Sequence, residues 1–348
     1  MYNKRQELIL SYIKAHKEVS RKEIETTISG AFPDKNSRIT VLRDLDVLIA
    51  DGLVIKSGKA RGTTYQPSSR SVLLNTVDVN AYFEIDPDQR ILRSENFNFD
   101  IWPHLTRLLT EAEQRELDAL NEQYRKNRAA LTPVVLQKEL ERLTIELAWK
   151  SSRIEGNTYT LLDTERLIKE HVEATGKTRE EAVMILNHKD ALDFVIKKAD
   201  FFKEVSLAKI EEVHRLLVKD LGVMQGIRKN LVRITGTNYR PLDNVFQIQE
   251  AMRELCSLVN QAAHPIEKAL LTVLMISYIQ PFEDGNKRTS RILGNALLLA
   301  YHYCPLSYRS VDEVEYKKGM LLFYEQNNAA YFKILFLAQF RQAVMKYF

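Results

Sequence analysis

Cysteine, proline and glycine are all scarce in this chain: its 348 residues include 2 Cys, 9 Pro and 12 Gly. Cys256 and Cys304, both in apolar context that reads as helical, are too few for a disulfide framework or a Cys-based metal site. So few chain breakers leave little room for long coil segments. Long apolar runs are missing as well, none approaching the ~18–20 residues of a membrane span. The start, Met1-Tyr2-Asn3-Lys4-Arg5, leads into an amphipathic segment and has no signal-peptide core. These absences predict a cytoplasmic chain with no membrane partner. Internal repeats and low-complexity tracts are absent too. The 45% apolar and 28% charged content is enough for a sizeable core and for two domains.

The most informative stretch is Gln280-Pro281-Phe282-Glu283-Asp284-Gly285-Asn286-Lys287-Arg288-Thr289-Ser290-Arg291. An apolar run from Ala269 to Ile279 predicts a buried helix that stops at the Gln-Pro pair, because proline disfavours helical geometry in the residue before it. One glycine marks a short loop, and a new helix opens near Asn286. The first turn of a helix offers unpaired N–H groups and the positive end of its dipole. Arg288 and Arg291, three residues apart, share a face of that helix. With the Asp284 carboxylate beside them, these features describe an anion cradle suited to a triphosphate with Mg²⁺.

This stretch resembles the signature of the Fic (Fido) family, His-Pro-Phe-x-Asp/Glu-Gly-Asn-x-Arg-x-x-Arg, with glutamine at position 280 where the family has its catalytic histidine. Ser151-Ser152-Arg153-Ile154-Glu155-Gly156-Asn157 is similar to the family's inhibitory helix motif. It closes a helical segment over about 132–156, with Pro133 near the start and Gly156 at the stop. The resemblance implies that Glu155, supported by Ser151 and Gly156, holds Arg291 away from a nucleotide's γ-phosphate. A third segment, Arg233-Ile234-Thr235-Gly236-Thr237-Asn238-Tyr239-Arg240-Pro241, alternates apolar and polar residues before Gly-Thr-Asn and reads as a short hairpin. It resembles the Fic flap, with Ile234, Thr235, Gly236, Thr237 and Tyr239 placed to receive a target segment as an added strand.

The resemblance covers residues 104–348 and implies a mainly α chain: an all-helical Fic domain with a small β-hairpin flap. It also implies ATP as substrate, Mg²⁺ as cofactor and transfer of AMP to a hydroxyl of an unidentified target protein. Asp284 is then the metal ligand. Gly285, Asn286, Lys287, Arg288 and Arg291 hold the nucleotide, and Asp284, Asn286 and Arg288 with position 280 form the catalytic set. Gln280 cannot serve as a general base, since an amide does not take a proton near neutral pH. Loss of that base costs about 10²–10⁴-fold in rate. A glutamine can still orient a nucleophile by hydrogen bonding. His264 and His302 flank the two helices in sequence and are candidate replacement bases. Lys287, where many members have glycine, also occurs in the Doc branch, which transfers a phosphoryl group instead. Three readings therefore stand: an auto-inhibited, weakened adenylyltransferase, a non-catalytic nucleotide-sensing regulator, and a Doc-like phosphotransferase.

The N-terminal segment is read from pattern. Residues 1–70 hold 13 Lys/Arg against 8 Asp/Glu, a surplus of 5 in a chain whose net charge is +4. Leu8, Ile9, Tyr12 and Ile13 recur at helical spacing, and Ser20 with Glu23 forms a capping box for a second helix. A third runs from about Ser37 to Ala50, and residues 53–56 and 63–66 read as a two-stranded wing. Residues 1–67 thus resemble an α+β winged helix-turn-helix domain. Such a domain binds duplex DNA with its third helix in the major groove. Lys35, Arg38, Thr40 and Arg43 are the candidate helix contacts, with Lys56, Lys59 and Arg61 in the wing; docking to a protein partner is the alternative. Residues 68–103, rich in aromatics, are expected to be a linker that packs against the following domain. A second copy of the chain is left open as a partner.

Overall fold

The computed structural model describes residues 2–347 except 17, 34–36, 60, 61 and 69. Two compact units emerge: residues 1–76 with 100–110, and residues 77–99 with 111–348. In the first unit, α1 (Lys4–His16) leads to β1 (Val19–Ser20), α2 (Arg21–Ala31), α3 (Arg38–Ala50), β2 (Val54–Ser57), β3 (Thr64–Pro67) and the single turn α4 (Arg70–Leu73). Ser20 caps α2: its hydroxyl accepts from Glu23 N while the Glu23 carboxylate accepts from Ser20 N, a reciprocal pair contributing about 1 kcal/mol. Ile9 and Ile13, Ile24 and Ile28, and Val41, Leu45 and Leu48 repeat every three to four residues. All seven are fully buried where the three helices meet. The sheet is antiparallel in the order β1-β3-β2, with Val19 and Lys56 both opposite Tyr65. The third strand, β1, is only two residues long, too short to show an alternating pattern.

The second unit is helical: α5 (Val79–Glu84), α6 (Glu111–Ala129), α7 (Pro133–Ile154), α8 (Leu161–Glu170), α9 (Arg179–Lys197), α10 (Leu207–Leu217), α11 (Val245–Gln261), α12 (Pro265–Ile279), α13 (Asn286–Ala300), α14 (Glu313–Gln326) and α15 (Ala330–Lys346). At its centre α12 packs on α13. Every residue of α12 after Pro265 is buried, as is every residue of α13 except Lys287. Gly294 permits this approach, for a Cβ there would stand 3.0 Å from Val273 Cγ2. α7, α9 and α10 close over the other face of α13.

Two expectations need correcting. Cys304 lies in the loop after α13, not in a helix; it and Cys256 are buried free thiols, Cys256 pushed up to about 11 by burial. Residues 68–103 are not one linker. Ser68 N donates to Leu53 O at 2.8 Å and Lys14 Nζ to Ser71 O at 2.8 Å, which keeps residues up to 76 in the first unit. Residues 77–99 are drawn into the second unit by buried Glu325, which accepts from Tyr82 Oη at 2.6 Å and pairs with Arg90 at 3.4 Å.

Candidate active site

α12 ends at Gln280, whose φ of +51° turns the chain into a left-handed step. Arg228, itself buried, fixes that step by donating Nε to Gln280 O at 2.7 Å and its backbone N to Pro281 O at 3.0 Å. Phe282 is fully buried and stacks on His214 with ring centroids 3.7 Å apart, while His214 Nε2 donates to Asp284 O at 3.0 Å. Gly285 (φ +81°) is the N-cap of α13, and a Cβ there would press on Val218 Cγ1 at 3.1 Å, so only glycine suits both the angle and the space. No side chain caps α13. Its first-turn N–H groups are left for a ligand, as an anion site requires.

The amide pair at this loop is closed on itself. Gln280 Nε2 donates to Ser277 O at 2.6 Å, and Gln280 Oε1 accepts from Asn286 Nδ2 at 2.9 Å. Asn286 also spans the loop, accepting from Phe282 N and donating to Phe282 O, both at 2.8 Å. Asn286 therefore staples the loop with its side chain. Both ends of the Gln280 amide are occupied within the protein.

Around this loop lies a cavity of about 450 Å³ lined by residues 283–288, by Ile154 and Glu155, by residues 232–235 and by one face of α14. Arg288 Nη2 reaches Asp284 Oδ2 at 2.7 Å. Arg291 is completely buried. It donates Nε to Ser151 Oγ at 2.9 Å, Nη2 to Ser151 O at 2.9 Å and Nη2 to Glu155 Oε1 at 2.7 Å. The other Glu155 oxygen is 3.6 Å from Lys287 Nζ. Burial disfavours charge on Glu155, but the Arg291 and Lys287 cations outweigh it and hold the carboxyl below the usual glutamate range. Glu155 is the C-cap of α7, and Gly156 turns the chain away at φ +102°. Ser151 is in turn 2.8 Å from His188 Nε2, and His188 Nδ1 donates to Met184 O at 2.9 Å. Burial first, then Arg288, pulls His188 down to about 3, so it is neutral and accepts the Ser151 hydroxyl proton. His214 is lowered to about 4, again mainly by burial.

Among the described residues no group of three or more His, Cys, Asp or Glu is placed to hold a metal. Of the carboxylates lining the cavity, Glu155 is tied to Arg291 and Glu283 to Asn230 and Met224, while Asp284, paired with Arg288, is 64% exposed. One carboxylate beside an uncapped helix N-terminus is a donor set that suits Mg²⁺, an ion that keeps several waters and takes few ligands from the protein.

Several assigned residues fall elsewhere. The flap segment turns at Thr235–Gly236 but forms no hairpin; among the described residues the second unit contains no strand, only an isolated parallel bridge, Asn96 to Arg240. The reason is tertiary: Arg240 N donates to Glu95 O at 2.7 Å, so the second arm pairs with residues 87–96 instead of with the first arm. Tyr239 is buried, its hydroxyl donating to Tyr278 O at 2.9 Å, and cannot meet a target. Ile234 and Thr235 line the cavity. His264 is the N-cap of α12, at the end opposite Gln280, and His302 lies beyond the C-terminus of α13. At ~1.5 Å per residue each is more than about 20 Å along its helix from the loop, so neither replaces the base. Lys35 and Arg61 lie outside the described residues. Arg38, Arg43, Lys56 and Lys59 are exposed on the first unit, while Thr40 Oγ1 sits 2.7 Å from Ser37 Oγ in the cap of α3. His188, His214, Arg228 and Tyr316, whose hydroxyl is 3.4 Å from Arg291 Nη1, were not anticipated. Each reaches the site from a part of the chain with no local signature.

Residues 204–298, which contain the anion loop and α13, form a Fic/DOC family domain. The chain is 32% identical over 156 residues to protein adenylyltransferase Fic of Drosophila ananassae, 44% of this chain and 31% of that protein. Its counterpart from Nematostella vectensis is 28% identical over 188 residues, 52% of this chain and 43% of that one. The chain thus spans less than half the length of these relatives. Among solved structures, Fic-1 (residues 134–508) from C. elegans superposes with a TM-score of 0.59 at 20% identity over 68% of this chain and 70% of that one. A Fic-domain signalling protein from Bacteroides thetaiotaomicron gives 0.55 at 21% over 67% and 94%. The fold is therefore the helical Fic fold. No helix among the described residues is long and apolar enough to cross a membrane.

Proposed function

We propose that this chain binds ATP with Mg²⁺ at the loop 284–291 and is built for transfer of AMP to a hydroxyl of a target protein, held off by Glu155 and weakened by Gln280. The observation that carries this reading is the buried Arg291 guanidinium, tied at 2.7 Å to Glu155, which lines the cavity beside an uncapped helix N-terminus. An arginine so placed is an electrostatic partner for a nucleotide's outer phosphates once the glutamate leaves. Relatives named protein adenylyltransferase Fic support the direction of the chemistry.

In this mechanism the N–H groups opening α13 hold the α-phosphate, Arg288 and Arg291 neutralise the outer phosphates, and Asp284 holds Mg²⁺. The metal supplies charge neutralisation when bound. Gln280, an amide closed on Ser277 and Asn286, cannot take the proton of an attacking hydroxyl. Binding should therefore survive while transfer is slow. Calorimetry with ATP and Mg²⁺ tests the binding half; absence of heat for both the chain and its Glu155→Gly variant would make the cradle vestigial.

For the first unit the reading is a winged helix that binds duplex DNA in the cytoplasm. A protein partner, including a second copy, is the alternative, and one observation favours it. Ile39, Arg43 and Val47 stand four residues apart on α3, and the two apolar members are 64% and 41% exposed.

A further inference from the structure

We propose that residues 87–96 are a positioning strap for the flap, with Arg90 as its clamp, so that the flap is held in shape from outside and offers only its first arm to a target. The role of the flap as a target-binding edge rests on the function proposed above; the clamp itself does not.

A hairpin keeps its shape through its own cross-strand hydrogen bonds. This flap has none, and a loop of that length without ties would be among the first parts of a fold to open. Apart from Tyr239, whose hydroxyl donates to Tyr278 O, its ties run to the strap. Arg90 Nη1 donates to Gly236 O at 3.2 Å at the turn. Asn238 Nδ2 reaches Pro87 O and Asp88 Oδ1, both at 3.3 Å, and Arg240 N donates to Glu95 O at 2.7 Å. The second arm is thus engaged along its length. The first arm, residues 232–235, lines the cavity beside the anion loop.

The strap is fastened in turn to the end of α14. Arg90 pairs with Glu325, which has no solvent exposure, and lies over the Phe83 ring at 4.7 Å. Arg93 N donates to Glu325 O at 2.8 Å, and Gln326 Nε2 to Ile91 O at 2.6 Å. A buried carboxylate of this kind depends on its cation, so Arg90 is fixed, and through it the turn of the flap. Since α14 also lines the cavity, strap, flap and nucleotide site share one anchor.

Hydrogen exchange of the full chain, read by mass spectrometry, tests the clamp. Arg90→Ala should speed exchange of the flap's hydrogen-bonded amides, those of Tyr239 and Arg240, by about tenfold or more, with α12 and α13 unchanged. Arg90→Lys, which keeps a cation for Glu325 but cannot serve both partners, should fall between. An unaltered flap in Arg90→Ala, or an equal rise across α12 and α13, would overturn the proposal. In the Gln280→His, Glu155→Gly background, Arg90→Ala should raise KM for the protein acceptor and leave KM for ATP unchanged; parallel losses in both would also count against it. A background that transfers nothing would instead contradict the proposed function, and the exchange data would still decide the clamp.

Discussion

Glu155 and Lys287 face each other at 3.6 Å, and Lys287 is the one residue of α13 that is not buried. The lysine that departs from the family pattern therefore sits against the proposed latch, as a second cation beside Arg291. The two cations differ in kind. Arg291 is completely buried and hydrogen-bonded on Ser151 as well, whereas Lys287 is 27% exposed. Arg291→Ala should cost several kcal/mol, about 3–5, because it empties a fully buried position and takes the main partner from a part-buried carboxylate. Lys287→Ala should cost under about 1 kcal/mol, as half-solvated pairs do. Urea unfolding of the two variants checks the ranking; equal losses would mean that the latch is shared evenly.

Removing the glutamate should release the arginine to the nucleotide. Glu155→Gly is expected to tighten ATP·Mg²⁺ binding about tenfold, the worth of one charge-assisted hydrogen bond. Calorimetry on the chain and the variant reads this directly. Identical affinities, with an identical nucleotide pose in a crystal, would remove Glu155 from regulation.

The pH response separates latch from scaffold. Because the Glu155 carboxyl is held below its usual range, its contribution is present above pH 4.5 and is lost only as pH falls through the still lower folded value. Between pH 8 and 5 the latch should stay shut. The buried histidines act at a higher window. With His188 near 3 and His214 near 4, the unfolded chain binds more protons than the folded one below about 6.5. Stability should therefore fall as pH drops from about 6.5 towards 4, by up to about 1.4 kcal/mol per unit for each histidine. Urea midpoints at pH 7.5, 6 and 5 measure it, and His188→Gln should flatten the slope; a flat wild-type profile would show the histidines to be solvated.

DNA binding by the first unit should weaken steeply with salt, since phosphate contacts dominate. Arg38→Ala and Arg43→Ala are each expected to reduce the salt slope by about one. A band shift at low salt that shows no complex would favour the Ile39–Arg43–Val47 face as a protein contact.

How much of this was legible in the sequence follows the range of the contacts involved. The break at Gln280-Pro281, the glycine at 285 and the capping box at Ser20 are decided by residues within a turn of one another, and each element lies where local rules put it. The pairing of Glu155 with Arg291 spans 136 residues and was reachable only through the family resemblance. The flap misled, because an alternating segment with Gly-Thr-Asn is a hairpin locally, yet its second arm found Glu95 and Asn96 first. His188 and His214 gave no signal: a lone histidine on an apolar helix face looks the same whether it packs or holds a loop. The Gln280 amide is the reverse case: the residue at the helix break was plain, but not that Ser277 and Asn286 would occupy both its ends.

The central claim is that this is an adenylyl-transfer site lacking only its base and shut by Glu155. It is tested most directly by incubating Gln280→His, Glu155→Gly with labelled ATP and Mg²⁺ and reading the product by mass spectrometry. The account predicts AMP on the variant itself or on an added protein, lost with Asp284→Ala, and little or none with the unaltered chain. A phosphoryl product would point to Lys287 and Doc-like chemistry, and no labelling at all by the double variant would contradict the account.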